Sequence, residues 1–193
     1  MSSRQRITVI TVVLLAIAGA ASIRVAAESR QAARAEAQQR AKVARGKYLV
    51  GFGGCHDCHT PWIMTPKGPG PDMSRALSGH PESMALGAAP KPQGGWTWAG
   101  AATNTAYAGP WGVSYAANLT PERLTGTGIW DETMFVKTIR TGRHWGVGRP
   151  ILPPMPYQNL QNLTDDDLKA IFAYLRTLKP IKNQVPDAIV AAH

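Results

Sequence analysis

Acidic side chains are scarce in this 193-residue chain, 12 against 21 lysines and arginines, for a formal net charge of +9. The surplus is dispersed, with no run of five basic residues and no nucleic-acid-binding motif. It therefore implies solubility and steering toward an acidic partner, and argues against nucleic acid. Cysteines number only two. Zinc needs four ligands, normally including a second Cys/His pair at short spacing, and His80, His144 and His193 stand alone, which disfavours a zinc site. Aromatic residues make up 7% of the chain, whereas there are 19 glycines and 15 prolines. That balance implies loops wrapped around a hydrophobic body more than a large regular core.

What is present is concentrated. Both cysteines fall in Cys55-His56-Asp57-Cys58-His59, followed at once by Thr60-Pro61. A C-x-x-C-H sequence reads as a covalent haem-attachment site. Two thiols three residues apart on one helical turn reach the two vinyl groups on one porphyrin edge, and His59 is then aimed at the iron. The competing readings are a structural disulfide, a zinc half-site and a thioredoxin-like redox pair. The last belongs after a strand in a βαβ pattern, whereas this motif follows the helix-like run Arg40 to Val50. A chain of this length has room for one ordinary domain and a tail, and hence for one haem c.

Arg4 and Arg6 precede an uncharged run from Ile7 to Ile23, so residues 1–27 read as a signal peptide or an N-terminal membrane anchor through 7–23. Either way the remaining chain is expected in the periplasm, soluble after cleavage or tethered to the cytoplasmic membrane. Residues 28–43 are mostly Ala, Gln, Arg and Glu with no consistent apolar stripe, which predicts an exposed helical linker. The globular domain is expected over 44–182, with 183–193 as an extended tail. About half of all the glycines and prolines fall between Pro61 and Gly112, so 61–112 is expected to be a long loop insertion. A short hairpin is expected around Thr97 to Ala117, with Trp96, Trp98, Tyr107 and Trp111 as candidates to cover a haem edge.

Phe135, Val136 and Ile139 predict one buried helical face within Trp130 to Thr141, closed by Gly142. Thr164 and Asp167 form a capping box, and Leu168, Ile171, Phe172, Leu175 and Leu178 carry a helix toward Lys179-Pro180. That helix is expected to meet the first near Gly46, where a missing side chain permits close approach. Between the two lies Ile151-Leu152-Pro153-Pro154-Met155-Pro156, a rigid loop presenting one soft sulfur, and Met155 is the candidate sixth iron ligand. Met64, Met73, Met84 and Met134 are alternatives, and His80 or His144 would give a bis-histidine centre. Arg140, Arg143, Arg149 and Trp145 gather just before the loop as candidates for contacts to the haem propionates.

The chain resembles the c-type cytochromes of the mitochondrial-like fold. More narrowly, Arg45-Gly46-Lys47-Tyr48-Leu49, Asn118-Leu119-Thr120-Pro121, Thr127-Gly128-Ile129-Trp130, Arg140-Thr141-Gly142-Arg143-His144 and Pro154-Met155-Pro156 resemble segments in the cytochrome c subunits of bacterial periplasmic alcohol and aldehyde dehydrogenases. The resemblance implies a mostly α, single cytochrome c domain with crossed N- and C-terminal helices. It also implies thioethers from Cys55 and Cys58, and His59 and Met155 as iron ligands. The expected role is electron transfer between Fe(II) and Fe(III) by an electron carrier that is not itself an enzyme. Its partners would be redox proteins, such as a dehydrogenase subunit, an oxidase or another cytochrome of a respiratory chain. The alternatives are a haem enzyme or gas sensor with a displaceable sixth ligand, and a membrane-anchoring subunit of a dehydrogenase complex.

Overall fold

The computed structural model describes residues 3–91 and 93–191, without the side chains of 4–23. The expected signal or anchor at 7–23 thus lies outside the described side chains. The chain divides into two compact units, Met1–Ala41 and Lys42–His193. Helix α1 runs Ser3–Phe52. Its residues 24–41 are all exposed, as strong helix formers with no apolar stripe must be when they have nothing to bury.

In the second unit the sequence changes character and so does the burial. Leu49 and Val50 of α1 are buried with Phe135 and Ile139 of α3 (Glu132–Thr141), and with Leu168, Ile171, Phe172 and Leu175 of α5 (Asp165–Leu175). The approach of α1 to α5 is governed by Gly46, where a Cβ would collide with the carbonyl oxygen of Ala170. Tyr174 Cβ closes over the same spot, while Phe172 stacks on Phe135 with ring centroids 5.4 Å apart. Arg45 Nε donates to Asp167 Oδ1 at 2.9 Å, and Lys42 reaches Glu132, so ion pairs rim the apolar contact.

Local sequence explains where these helices begin and end. The Thr164 hydroxyl accepts from the Asp167 amide, and three aspartates occupy the first turn of α5, where exposed amides and the helix dipole favour negative charge. Asp131 caps α3 by accepting from the Met134 amide, and Gly142 ends it in the left-handed conformation at φ 63°. Helix α4, Tyr157–Leu160, follows the proline-rich loop and lays the Tyr157 ring over Gly142.

The segment 61–112, expected as loop apart from a short hairpin around Thr97 to Ala117, contains more strands than that hairpin. Strands β1 (Trp62–Thr65) and β2 (Gly68–Pro71) form an antiparallel hairpin. Strands β3 (Ala99–Gly100), β4 (Ala106–Gly109), β5 (Gly112–Tyr115) and β6 (Ile189–Val190) make a four-stranded sheet in that order. Glycine and proline mask such strands in a sequence, because they are tolerated only in short or edge strands and supply no β-branched pattern to recognise.

The chain beyond Pro180 is fastened by polar side chains. Asn183, 1% exposed, donates through Nδ2 to the carbonyls of Ser78 and His80, and accepts at Oδ1 from the Glu82 amide. Asn118 donates to the Ile181 carbonyl at 2.8 Å. Leu77 fills the space beside them with no exposure, at φ 58°.

Candidate haem-attachment site

The five residues Cys55–His59 form a single helical turn, α2, entered through Gly54 in the left-handed conformation at φ 64°. One turn places both cysteines on neighbouring positions, and both thiols are free and half-buried. Burial pushes the Cys55 thiol up to about 11, aided by the charges of Cys58 and Asp57. A thiol held protonated at neutral pH is the reverse of a redox-active C-x-x-C cysteine, whose pKa is lowered.

His59 closes the turn and is 8% exposed. Its Nδ1 lies 2.8 Å from the Ala117 carbonyl oxygen. A carbonyl can only accept, so Nδ1 carries the proton and Nε2 keeps a free lone pair. Burial also holds the imidazole below its ordinary pKa, with the carbonyl pulling the other way, so the neutral, ligating form prevails at pH 7. The backbone completes the bracket: the Gly79 amide donates to the His59 carbonyl, and the His80 amide donates to the Ala116 carbonyl. Gly79, at φ 78°, has no room for a Cβ against residues 116 and 117. Two free thiols and a correctly tautomerised imidazole on one turn fit haem c.

Met155 is half-buried in the loop between α3 and α4. The loop is pinned at its start by the Ile151 amide on the Gly142 carbonyl at 2.8 Å. In its middle, the Ser114 hydroxyl donates to the Pro153 carbonyl at 2.6 Å; the Pro153–Pro154 peptide is cis. Of the other methionines, Met64, Met73 and Met84 are exposed by 76%, 59% and 39%, and Met134 is half-buried in the first turn of α3. His80 has both ring nitrogens engaged, Nδ1 with the Thr105 hydroxyl and Nε2 with the Met84 carbonyl. His144 is packed against the indoles of Trp130 and Trp145 at 5.2 and 5.3 Å.

Arg143, Trp145 and Arg149 share one exposed loop around the 3-10 turn His144–Gly146, just before the Met155 loop. Arg143 Nη1 donates to the Gly148 carbonyl, and the His144 amide donates to the carbonyl of Arg149. Arg140 turns away to Asp165 and to the carbonyls of Gln161 and Leu163. Three of the insertion's aromatics collect at the attachment turn or at the β4–β5 hairpin. Tyr107 Oη is 3.1 Å from Cys58 Sγ, Trp98 meets the Tyr107 ring edge-on, and Trp111 donates to Ser114. Trp96 stands apart at 78% exposed. Ala117, Gly79, Ser114 and Asn183 were not singled out from sequence. A backbone carbonyl leaves no mark in its residue type, and no motif surrounds the others.

No protein-family model matches the chain. It is 29% identical over 171 residues to the cytochrome c subunit of the quinone-dependent alcohol dehydrogenase of Gluconobacter oxydans (strain 621H), covering 87% of this chain and 28% of that one. It is 31% identical over 134 residues to the cytochrome c subunit of gluconate 2-dehydrogenase of Pantoea cypripedii, 69% of this chain and 22% of that one. It is 36% identical over 87 residues to the fructose dehydrogenase cytochrome subunit of Gluconobacter japonicus, 42% and 18% respectively. The chain thus spans less than a third of the length of each of these curated relatives. With the C-x-x-C-H turn at Cys55–His59, these matches make the chain a c-type cytochrome related to the cytochrome c subunits of bacterial dehydrogenases.

Proposed function

We propose that this chain is a single-haem electron carrier working outside the cytoplasmic membrane, between a dehydrogenase catalytic subunit and a respiratory acceptor. The observation that carries the reading is the attachment turn, with two free thiols and an imidazole whose Nδ1 is committed to the Ala117 carbonyl. Haem c, which Cys55 and Cys58 would hold through thioethers and His59 and Met155 would hold through the iron, would supply one-electron exchange between Fe(II) and Fe(III).

The chain's own residues set the conditions for that exchange. Donation from His59 Nδ1 fixes the ring and raises its basicity as a ligand. The Met155 thioether favours reduced iron and so a higher potential than a second histidine would give. Pro153, Pro154 and Pro156 flank it in the chain and offer no N–H donor, which suits a filled sixth position and not an open site that binds oxygen or peroxide. Arg143, Trp145 and Arg149 are the proposed donors to the propionates. The relatives named above are cytochrome subunits of alcohol, gluconate and fructose dehydrogenases, which supports a dehydrogenase subunit as the donor. The basic surplus fits fast, salt-sensitive docking.

The ferric protein should show the weak red absorption of iron–sulfur charge transfer, and Met155→Ala should abolish it and let the reduced protein bind carbon monoxide. A wild-type protein without that absorption that already binds carbon monoxide would overturn the carrier reading.

A further inference from the structure

Besides the Gly79 and Asn104 contacts to the attachment turn, one cross-strand pair reaches both halves of the proposed site. Tyr107 of β4 and Ser114 of β5 are register partners, and directly opposed residues of an antiparallel pair present their side chains on the same face. Tyr107, 5% exposed, donates its hydroxyl to the Asn104 carbonyl at 2.6 Å and so stands 3.1 Å from Cys58 Sγ. Ser114, 8% exposed, donates to the Pro153 carbonyl at 2.6 Å. Its single proton is spent there, and its oxygen accepts from Trp111 Nε1 at 3.3 Å. The hydroxyl is therefore oriented by one partner and directed at the other.

The loop it reaches has little else to hold it. Two of the residues from Leu152 to Met155 are prolines without an N–H. Among the described residues, the Ser114 bond is the only hydrogen bond from this stretch to another element. Met155 is two residues along from the pinned carbonyl.

We propose that Tyr107 and Ser114 are positioning residues that brace the Met155 loop against the attachment turn, so that the hairpin of the glycine- and proline-rich insertion fixes the reach of the sixth ligand. The proposal rests on Met155 as that ligand. Cyanide entering the ferric iron has to wait for the methionine to leave, so its binding rate reads how firmly the loop is held. In the full-length haem-loaded protein, Ser114→Ala keeps the red iron–sulfur absorption and the covalent haem, and binds cyanide roughly 3- to 10-fold faster, the loss expected for one buried hydrogen bond. Tyr107→Phe accelerates entry in the same direction and carries the test if Ser114→Ala does not assemble. Ser74→Ala removes a hydroxyl bonded to Asp72 in the same insertion and leaves the rate at the wild-type value, which separates bracing from general loosening. Wild-type rates in Ser114→Ala and Tyr107→Phe, with the red absorption present, overturn the brace alone. Absence of that absorption in the wild type overturns the Met155 assignment and the brace with it.

Discussion

The helical frame and the insertion of the second unit are held together by different physics. In the frame, α1, α3 and α5 meet through Leu49, Val50, Phe135, Ile139, Leu168, Ile171, Phe172 and Leu175. These contacts are non-directional and add up in proportion to area. In the insertion and the C-terminal segment that covers it, single polar atoms carry the order: Asn183 on three backbone groups, Thr60 accepting from the Leu77 amide, His80 bridging Thr105 and Met84. A packed face tolerates a changed side chain of similar volume, whereas a buried amide that loses its partner bears the full desolvation cost. The C-x-x-C-H turn lies where the two regions meet, with Cys55 packed against the helical core and His59 tied to Ala117, two residues past β5.

Three substitutions sharpen that contrast, in descending effect. Gly46→Ala drives a methyl into the Ala170 carbonyl and should cost about 3 kcal/mol in urea unfolding, the upper range for overpacking, with lost protection of both α1 and α5 amides in hydrogen exchange. Asn183→Ala should cost about 2 kcal/mol, because two carbonyls and one amide lose their partner. Its exchange signature should stay at residues 77–83 and leave α5 protected. Equal loosening of α5 would show that the regions are not separately held. Asp167→Asn should have the smallest effect. The Arg45 guanidinium holds the Asp167 carboxyl below its ordinary pKa, so the contribution is present above the unfolded carboxylate value near ~4 and is lost as pH falls through the depressed folded value. The stability difference between wild type and variant should therefore be visible at pH 7 and shrink toward acid, which urea titrations at several pH values measure.

The same division explains what could be read from sequence. The C-x-x-C-H turn, the Thr164 cap with its apolar spacing, and the Gly142 stop are local patterns, each complete within about fifteen residues. Gly46 was legible as a close-approach point because its neighbours Val43, Tyr48 and Leu49 are bulky. The β4–β5 hairpin falls within Thr97 to Ala117, where the sequence places one, whereas β1 and β2 are not legible, since Gly68-Pro69-Gly70-Pro71 shows none of the alternation that marks a strand. The roles of Asn183, Ser114 and Ala117 depend on partners 39 to 105 positions away in the chain. No spacing rule reaches that far. Of the four aromatic residues expected at a haem edge, Trp98, Tyr107 and Trp111 collect at the hairpin while Trp96 does not.

Covalent haem attachment at Cys55 and Cys58, with His59 beside them, would change the mass of the chain. Mass spectrometry of the chain purified from a host with haem-attachment machinery tests it most directly. The expected result is one haem of added mass, located on the peptide that contains residues 55–59 and lost in the Cys55→Ser, Cys58→Ser double variant. A polypeptide of unmodified mass, or haem that comes away on denaturation, would contradict it.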